Sequence, residues 1–82
     1  MIINKVYKII KETNQLGLPY ITKESLIKQL EQKYPKTDNW RSKVGQAVYH
    51  LQQKTKLREP RIVQYFDVEE RKYVGYTIPK TI

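Results

Sequence analysis

The chain has 82 residues, with sixteen Lys and Arg against eight Asp and Glu, a net charge of +8 at pH 7. That length holds one small hydrophobic core and excludes a second, so a single domain over 1–82 is expected. Hydrophobic residues are 39% and cysteines are absent, which fits a folded domain and excludes disulfide staples, thiolate metal sites and a cysteine nucleophile.

The first predicted element is a helix over 2–15. Ile2, Ile3, Val6, Ile9, Ile10 and Thr13 recur at helical spacing and share one face, with Lys5, Lys8, Lys11 and Glu12 mostly elsewhere. Gly17 and Pro19 stop it. The apolar run Leu18-Pro19-Tyr20-Ile21 is too short for a helix and reads as a connector or a strand of two or three residues. Thr22 is a good N-cap for a second helix over 23–34. Leu26, Ile27, Leu30 and Tyr34 line one side of that helix, and Pro35 ends it. A polar turn follows at Lys36-Thr37-Asp38-Asn39, where Thr37 or Asp38 can cap the next helix. The third helix is expected over 39–55, with Trp40, Val44, Ala47, Val48 and Leu51 as its apolar stripe. Gly45 within it costs roughly 1 kcal/mol against alanine. Close packing of the second helix is the preferred reason for that glycine, the approach of a sugar-phosphate backbone the other.

Beyond Pro60 the pattern changes to β-branched and aromatic residues in two runs, 62–66 and 73–78. The polar stretch 67–72 between them makes a hairpin over 62–78. The register expected pairs Asp67 with Lys72, Tyr65 with Val74 and Val63 with Tyr76, placing opposite charges near the tip and four apolar side chains on one face. Tyr34, Tyr65 and Tyr76 fall on core faces, leaving Tyr49, Tyr7 and Tyr73 free. The fold class expected is therefore α+β, three helices plus a C-terminal two-strand hairpin.

This order of elements resembles the winged helix-turn-helix domain over about residues 2–78. The resemblance implies that the second and third helices form the helix-turn-helix, that the hairpin is the wing and that the third helix enters the major groove of DNA. The residues themselves support a contact surface there. Opposite the apolar stripe stand Asn39, Ser42, Gln46, Tyr49 and Gln53, all neutral hydrogen-bonding groups. Asn and Gln pair bidentately with adenine, and Ser bonds several base edges. Asn39, Arg41, Ser42, Gln46 and Tyr49 are the expected base-reading residues. Lys36, Lys43, His50, Lys54, Lys56, Arg58 and Arg61 are expected at phosphates.

The charge distribution agrees. Residues 36–61 carry seven basic side chains against two acidic, net +5, whereas 62–82 are neutral overall. The expected wing tip departs from a DNA-gripping one, because Asp67, Glu69 and Glu70 repel phosphate and suit a protein partner instead. His50, the only histidine, has no carboxylate at helical spacing to orient it as a base, and no calcium loop, phosphate-cradling glycine loop or nucleophile elbow is present. Neither catalysis nor a cofactor or metal is expected. The longest apolar runs are three residues, so neither a membrane span nor a signal peptide is expected, and the expected location is the cytoplasm, at the nucleoid. The expected function is sequence-selective binding of double-stranded DNA, as a small transcriptional regulator or a replication or partition accessory, with a homodimer on a two-fold site as one arrangement. The alternatives are a protein-interaction module of the same fold and an RNA- or single-strand-binding protein.

Overall fold

The computed structural model describes residues 2–79. Three helices, α1 (Ile2–Gln15), α2 (Lys23–Lys33) and α3 (Trp40–Gln52), precede two antiparallel strands, β1 (Val63–Asp67) and β2 (Lys72–Thr77). This is the α+β layout expected from the sequence. The end of α1 and both ends of α2 have local causes. At the end of α1, Gly17 adopts φ +88°. Its N–H donates to Asn14 O at 3.0 Å and that of Leu18 to Thr13 O at 3.2 Å. That pair of bonds is a Schellman cap, which favours glycine at the left-handed position. Thr22 caps α2 as expected, its Oγ1 accepting from Ser25 N–H at 3.1 Å. Tyr34, ahead of Pro35, leaves the helical conformation with ψ 67°.

The start of α3 differs from expectation. Neither Thr37 nor Asp38 caps it. The N-cap is Asn39 in the left-handed region at φ 60°, with no side-chain capping bond. Asn tolerates that region better than most residues. The helix also ends three residues before Thr55. The chain must return to bury Ile62, which is fully inaccessible. It does so by donating from Arg61 N–H and Ile62 N–H to Leu51 O, at 2.9 and 3.3 Å. Ile62 therefore precedes β1 as a core residue and does not alternate with Val63 on the strand.

The core is one cluster. Val6, Ile9 and Ile10 of α1 meet Leu26, Ile27 and Leu30 of α2, Trp40, Val44, Ala47, Val48 and Leu51 of α3, and Ile21 and Ile62 from the connections. Ile2, Ile3, Tyr34, Tyr76 and Ile78 close its margins. Trp40 is 2% exposed, and its Nε1–H donates to Tyr34 O at 3.3 Å. Thr13, the one buried polar residue among those described, donates its hydroxyl to Ile9 O within its own helix.

The sheet has a short third member. Ile21 and Tyr76 exchange both backbone hydrogen bonds, at 3.0 and 2.9 Å. β2 therefore lies between Ile21 and β1. The connector 18–21 thus meets the sheet through the single bridged residue Ile21 and is not a strand of two or three residues. The hairpin register keeps Asp67 opposite Lys72 but otherwise departs from expectation. Tyr65 faces Gly75, Gln64 faces Tyr76 and Val63 faces Thr77, with a bulge between Tyr65 and Phe66 that leaves Val74 over. The reason lies on the other edge of β2. A Cβ at residue 75 would overlap the Ile21 carbonyl and come within 2.7 Å of the Tyr20 ring. Only glycine fits there, and the bulge sets it opposite Tyr65. The rings of Tyr20 and Tyr65 then stack over the bare glycine with centroids 4.8 Å apart.

Candidate nucleic-acid interface

α3 divides into two faces. Trp40, Val44, Ala47, Val48 and Leu51 are buried, and the opposite side carries the exposed Ser42, Gln46 and Tyr49, while Gln53, expected on the same face, is the extended C-cap residue just beyond the helix. Tyr49 is 62% exposed, with its ring edge-on to the exposed His50 at 5.7 Å. A long neutral row of donors and acceptors therefore faces solvent, held on a helix whose other side is locked into the core. Asn39 stands exposed at its N-terminal end.

Gly45 borders this row, and the structure corrects the reason expected for it. Outside its own helix backbone, a methyl placed at Gly45 meets no heavy atom within 4 Å. Packing of α2 does not require the glycine. The space beside the row is open to whatever approaches from outside.

The cations divide into four situations. Arg41, expected to read a base, is paired with α2. Its guanidinium donates to both carboxylate oxygens of Glu24, at 2.8 and 2.9 Å. That hydrogen-bonded, oppositely charged partner holds the Glu24 carboxyl below its usual range and the Arg41 guanidinium above its own. Both groups are solvent-exposed, so the pair is exchangeable with a competing anion. Arg41 thus belongs to an α2–α3 clasp and not to the unpaired row. Lys43 is turned back, its Nζ donating to Asp38 O at 2.6 Å. Arg61 lies over the ring of Tyr7 at 4.2 Å, a cation–π contact tying the loop to α1 and drawing Arg61 away from the solvent-facing set. The fourth group, Lys36, Lys54, Lys56 and Arg58, is exposed. Lys54 has only a distant ion pair with Glu59, at 3.9 Å.

The wing adds features that sequence periodicity did not reveal. Gln64 Nε2 donates to Gln52 Oε1 at 3.3 Å, which joins the outer face of β1 to the end of α3. Phe66 and Tyr73 lie edge to face at 5.2 Å on that outer side, 46% and 63% exposed. At the tip, Asp67 Oδ1 accepts from Glu69 N–H and Glu70 N–H, at 2.9 and 3.2 Å. Arg71 closes the turn in the left-handed region at φ 56°. Asp67 is thus partly spent on the turn, and Glu70 lies 3.5 Å from Lys72. Glu69 and the 79% exposed Val68 face solvent beside them.

Asn14, which no motif marked, joins the two ends of the domain. Its Nδ2 donates to Leu18 O at 3.0 Å, and its Oδ1 accepts from Thr77 Oγ1 and Ile78 N–H at 3.1 and 2.9 Å. An Asn in the last turn of a helix signals only a cap. That it ties down a strand 63 residues away is visible in the tertiary structure alone.

Among the described residues no group of three or more His, Asp or Glu is placed to hold a metal ion, and no helix is long and apolar enough to cross a membrane. Comparison with protein-family models, curated proteins and solved structures returns no match to this chain.

Proposed function

We propose that this protein binds double-stranded DNA with sequence selectivity, α3 lying in the major groove, and that it serves as a small regulator of transcription or an accessory of replication or partition. The observation that carries this reading is the solvent face of α3. Ser42, Gln46 and Tyr49 form an exposed row of neutral hydrogen-bonding side chains on a helix anchored by five buried residues. Such groups read base edges, and a helix fixed by its opposite face presents them at little ordering cost. The open space at Gly45 suits close approach of a sugar-phosphate backbone. Lys36, Lys54, Lys56 and Arg58 stand at the two ends of the helix, where phosphates flank an occupied groove.

Selection of bound sequences from a random duplex pool tests the proposal. Enrichment of a defined site supports it, and a pool that remains random overturns it. A protein-interaction module is the second reading, favoured by one observation. The wing tip is a hydrogen-bonded turn presenting Val68 between carboxylates, a surface suited to a basic partner and unsuited to DNA. Glu69→Lys with Glu70→Lys separates the two, since it abolishes a protein contact made there and leaves α3 binding intact or stronger.

A further inference from the structure

The segment that leaves α3 is a closed finger. Both Arg61 N–H and Ile62 N–H donate to Leu51 O, so residues 52–60 depart from and return to one point at the helix end. Nearer the tip, Thr55 N–H donates to Arg58 O at 3.0 Å and Arg58 N–H to Thr55 O at 3.4 Å. Thr55 Oγ1 accepts from Leu57 N–H at 3.3 Å. These bonds leave Lys56 and Leu57 at the turn. Leu57 is 97% exposed, more than any other large hydrophobic residue described. Lys54, Lys56 and Arg58 accompany it, all exposed. Leu57 adds nothing to the core, yet the turn holds it in water between two cations.

We propose that this finger is a minor-groove wedge. Leu57 enters between two stacked base pairs, and Lys56 and Arg58 take the phosphates on either side. The proposal rests on the DNA-binding reading of α3 and adds a second contact with a different chemistry. Proteins that kink DNA insert an apolar side chain, leucine among them, at a base step from the minor groove, which is about 6 Å wide. The unstacking cost is lowest at flexible pyrimidine–purine steps such as TA. Leu57 lies six positions beyond Leu51. At ~3.3 Å per extended residue the tip reaches at most ~20 Å from the helix end, enough to cross one phosphate strand beside α3. The wing tip, with Asp67, Glu69 and Glu70, is electrostatically excluded from that groove, and the finger takes its place. A leucine between cations also suits an anionic lipid surface. One leucine, however, buries far less than the single acyl chain that already binds membranes only marginally, so DNA is favoured.

The test uses the whole protein on a duplex carrying the selected site, with 2-aminopurine at candidate TA steps and a fluorophore pair at the ends. Wild type is expected to raise both the 2-aminopurine emission and the end-to-end energy transfer. Leu57→Ala is expected to lose both signals and to bind about tenfold more weakly, given the worth of one buried leucine, with an unchanged melting temperature because the side chain is exposed. Leu57→Phe is expected to retain both signals. Straight DNA bound equally well by wild type and Leu57→Ala overturns the wedge and leaves the α3 reading standing. Failure of wild type to bind any duplex overturns both. Leu57-dependent binding to vesicles of phosphatidylserine and phosphatidylcholine, with no 2-aminopurine response, reassigns the finger to membranes and overturns the wedge.

Discussion

Two glycines in this chain have opposite surroundings, and substituting them gives opposite results. Gly75 is pressed against the Ile21 backbone and the Tyr20 ring. Gly75→Ala forces backbone apart at the one point where the connector joins the sheet, at a cost of about 1–3 kcal/mol or more. A Cβ added at Gly45 meets nothing within 4 Å beyond residues 44 and 46 and its own helix backbone. Gly45→Ala is expected to stabilise the protein by about 0.5–1 kcal/mol through helix propensity and a less flexible unfolded chain. Thermal melting of both variants checks the pair, and a lowered midpoint for Gly45→Ala would contradict the open surroundings. The same variant is expected to bind DNA more weakly, because its methyl occupies the space left for the ligand. Tyr76 gives a prediction in pH. Burial raises its phenol above the ordinary value of about 10. The unfolded chain therefore gives up that proton first, so stability is intact below about pH 10 and falls as pH rises through the folded-state value. Tyr76→Phe is expected to flatten the alkaline limb of the stability profile relative to wild type, measured by urea unfolding, and parallel limbs would contradict it.

At the scale of elements, α3 carries both the anchor and the contact surface, and substitutions separate them. Trp40 is packed into the core and hydrogen-bonded to Tyr34 O. Trp40→Ala is expected to cost about 3–5 kcal/mol of stability, read as a large drop in the melting midpoint. Gln46 sits on the opposite side and is exposed. Gln46→Ala is expected to melt like wild type, to lose about 1–3 kcal/mol of binding on the preferred site and to relax the preference there. Lys56→Ala is expected to weaken binding to specific and scrambled duplexes alike. Titrations of each variant on both duplexes at two salt concentrations decide it. Equal losses for Gln46→Ala on the two duplexes would remove base reading from that residue. α2 takes part through Glu24, whose clasp on Arg41 must open if Arg41 is to touch DNA.

For the whole molecule the governing quantity is charge. The net +5 of residues 36–61 is gathered on α3 and its flanks, while the hairpin, with Asp67, Glu69 and Glu70 against Arg71 and Lys72, is net −1. If about five phosphates are engaged, the logarithm of affinity is expected to fall with the logarithm of salt at a slope near −4 to −5. Arg41, Lys43 and Arg61 already have intramolecular partners. A slope of about −3.6, that of the four remaining cations, would indicate that these three keep those partners in the complex, and a salt-independent affinity would contradict DNA binding through this surface.

The order and type of the elements were legible in the sequence because each rests on local rules. Helical spacing selects the buried faces, Gly17, Thr22 and Pro35 mark the ends, and β-branched and aromatic runs mark the strands. The two faces of α3 were legible for the same reason, since a helix alone dictates which residues share a side. The side-chain partners were not. Arg41 and Lys43 have the same chemistry in the sequence whether free or bound, and only the approach of Glu24 and the return of the Asp38 carbonyl decide the matter. The hairpin register was decided by Tyr20 and Ile21, more than forty residues before the strand they constrain. The length of α3 was decided by the demand that Ile62 reach the core. Local pattern encodes which face of an element is apolar. Which atoms then meet depends on distant segments competing for the same space, and that is determined only when the chain closes on itself.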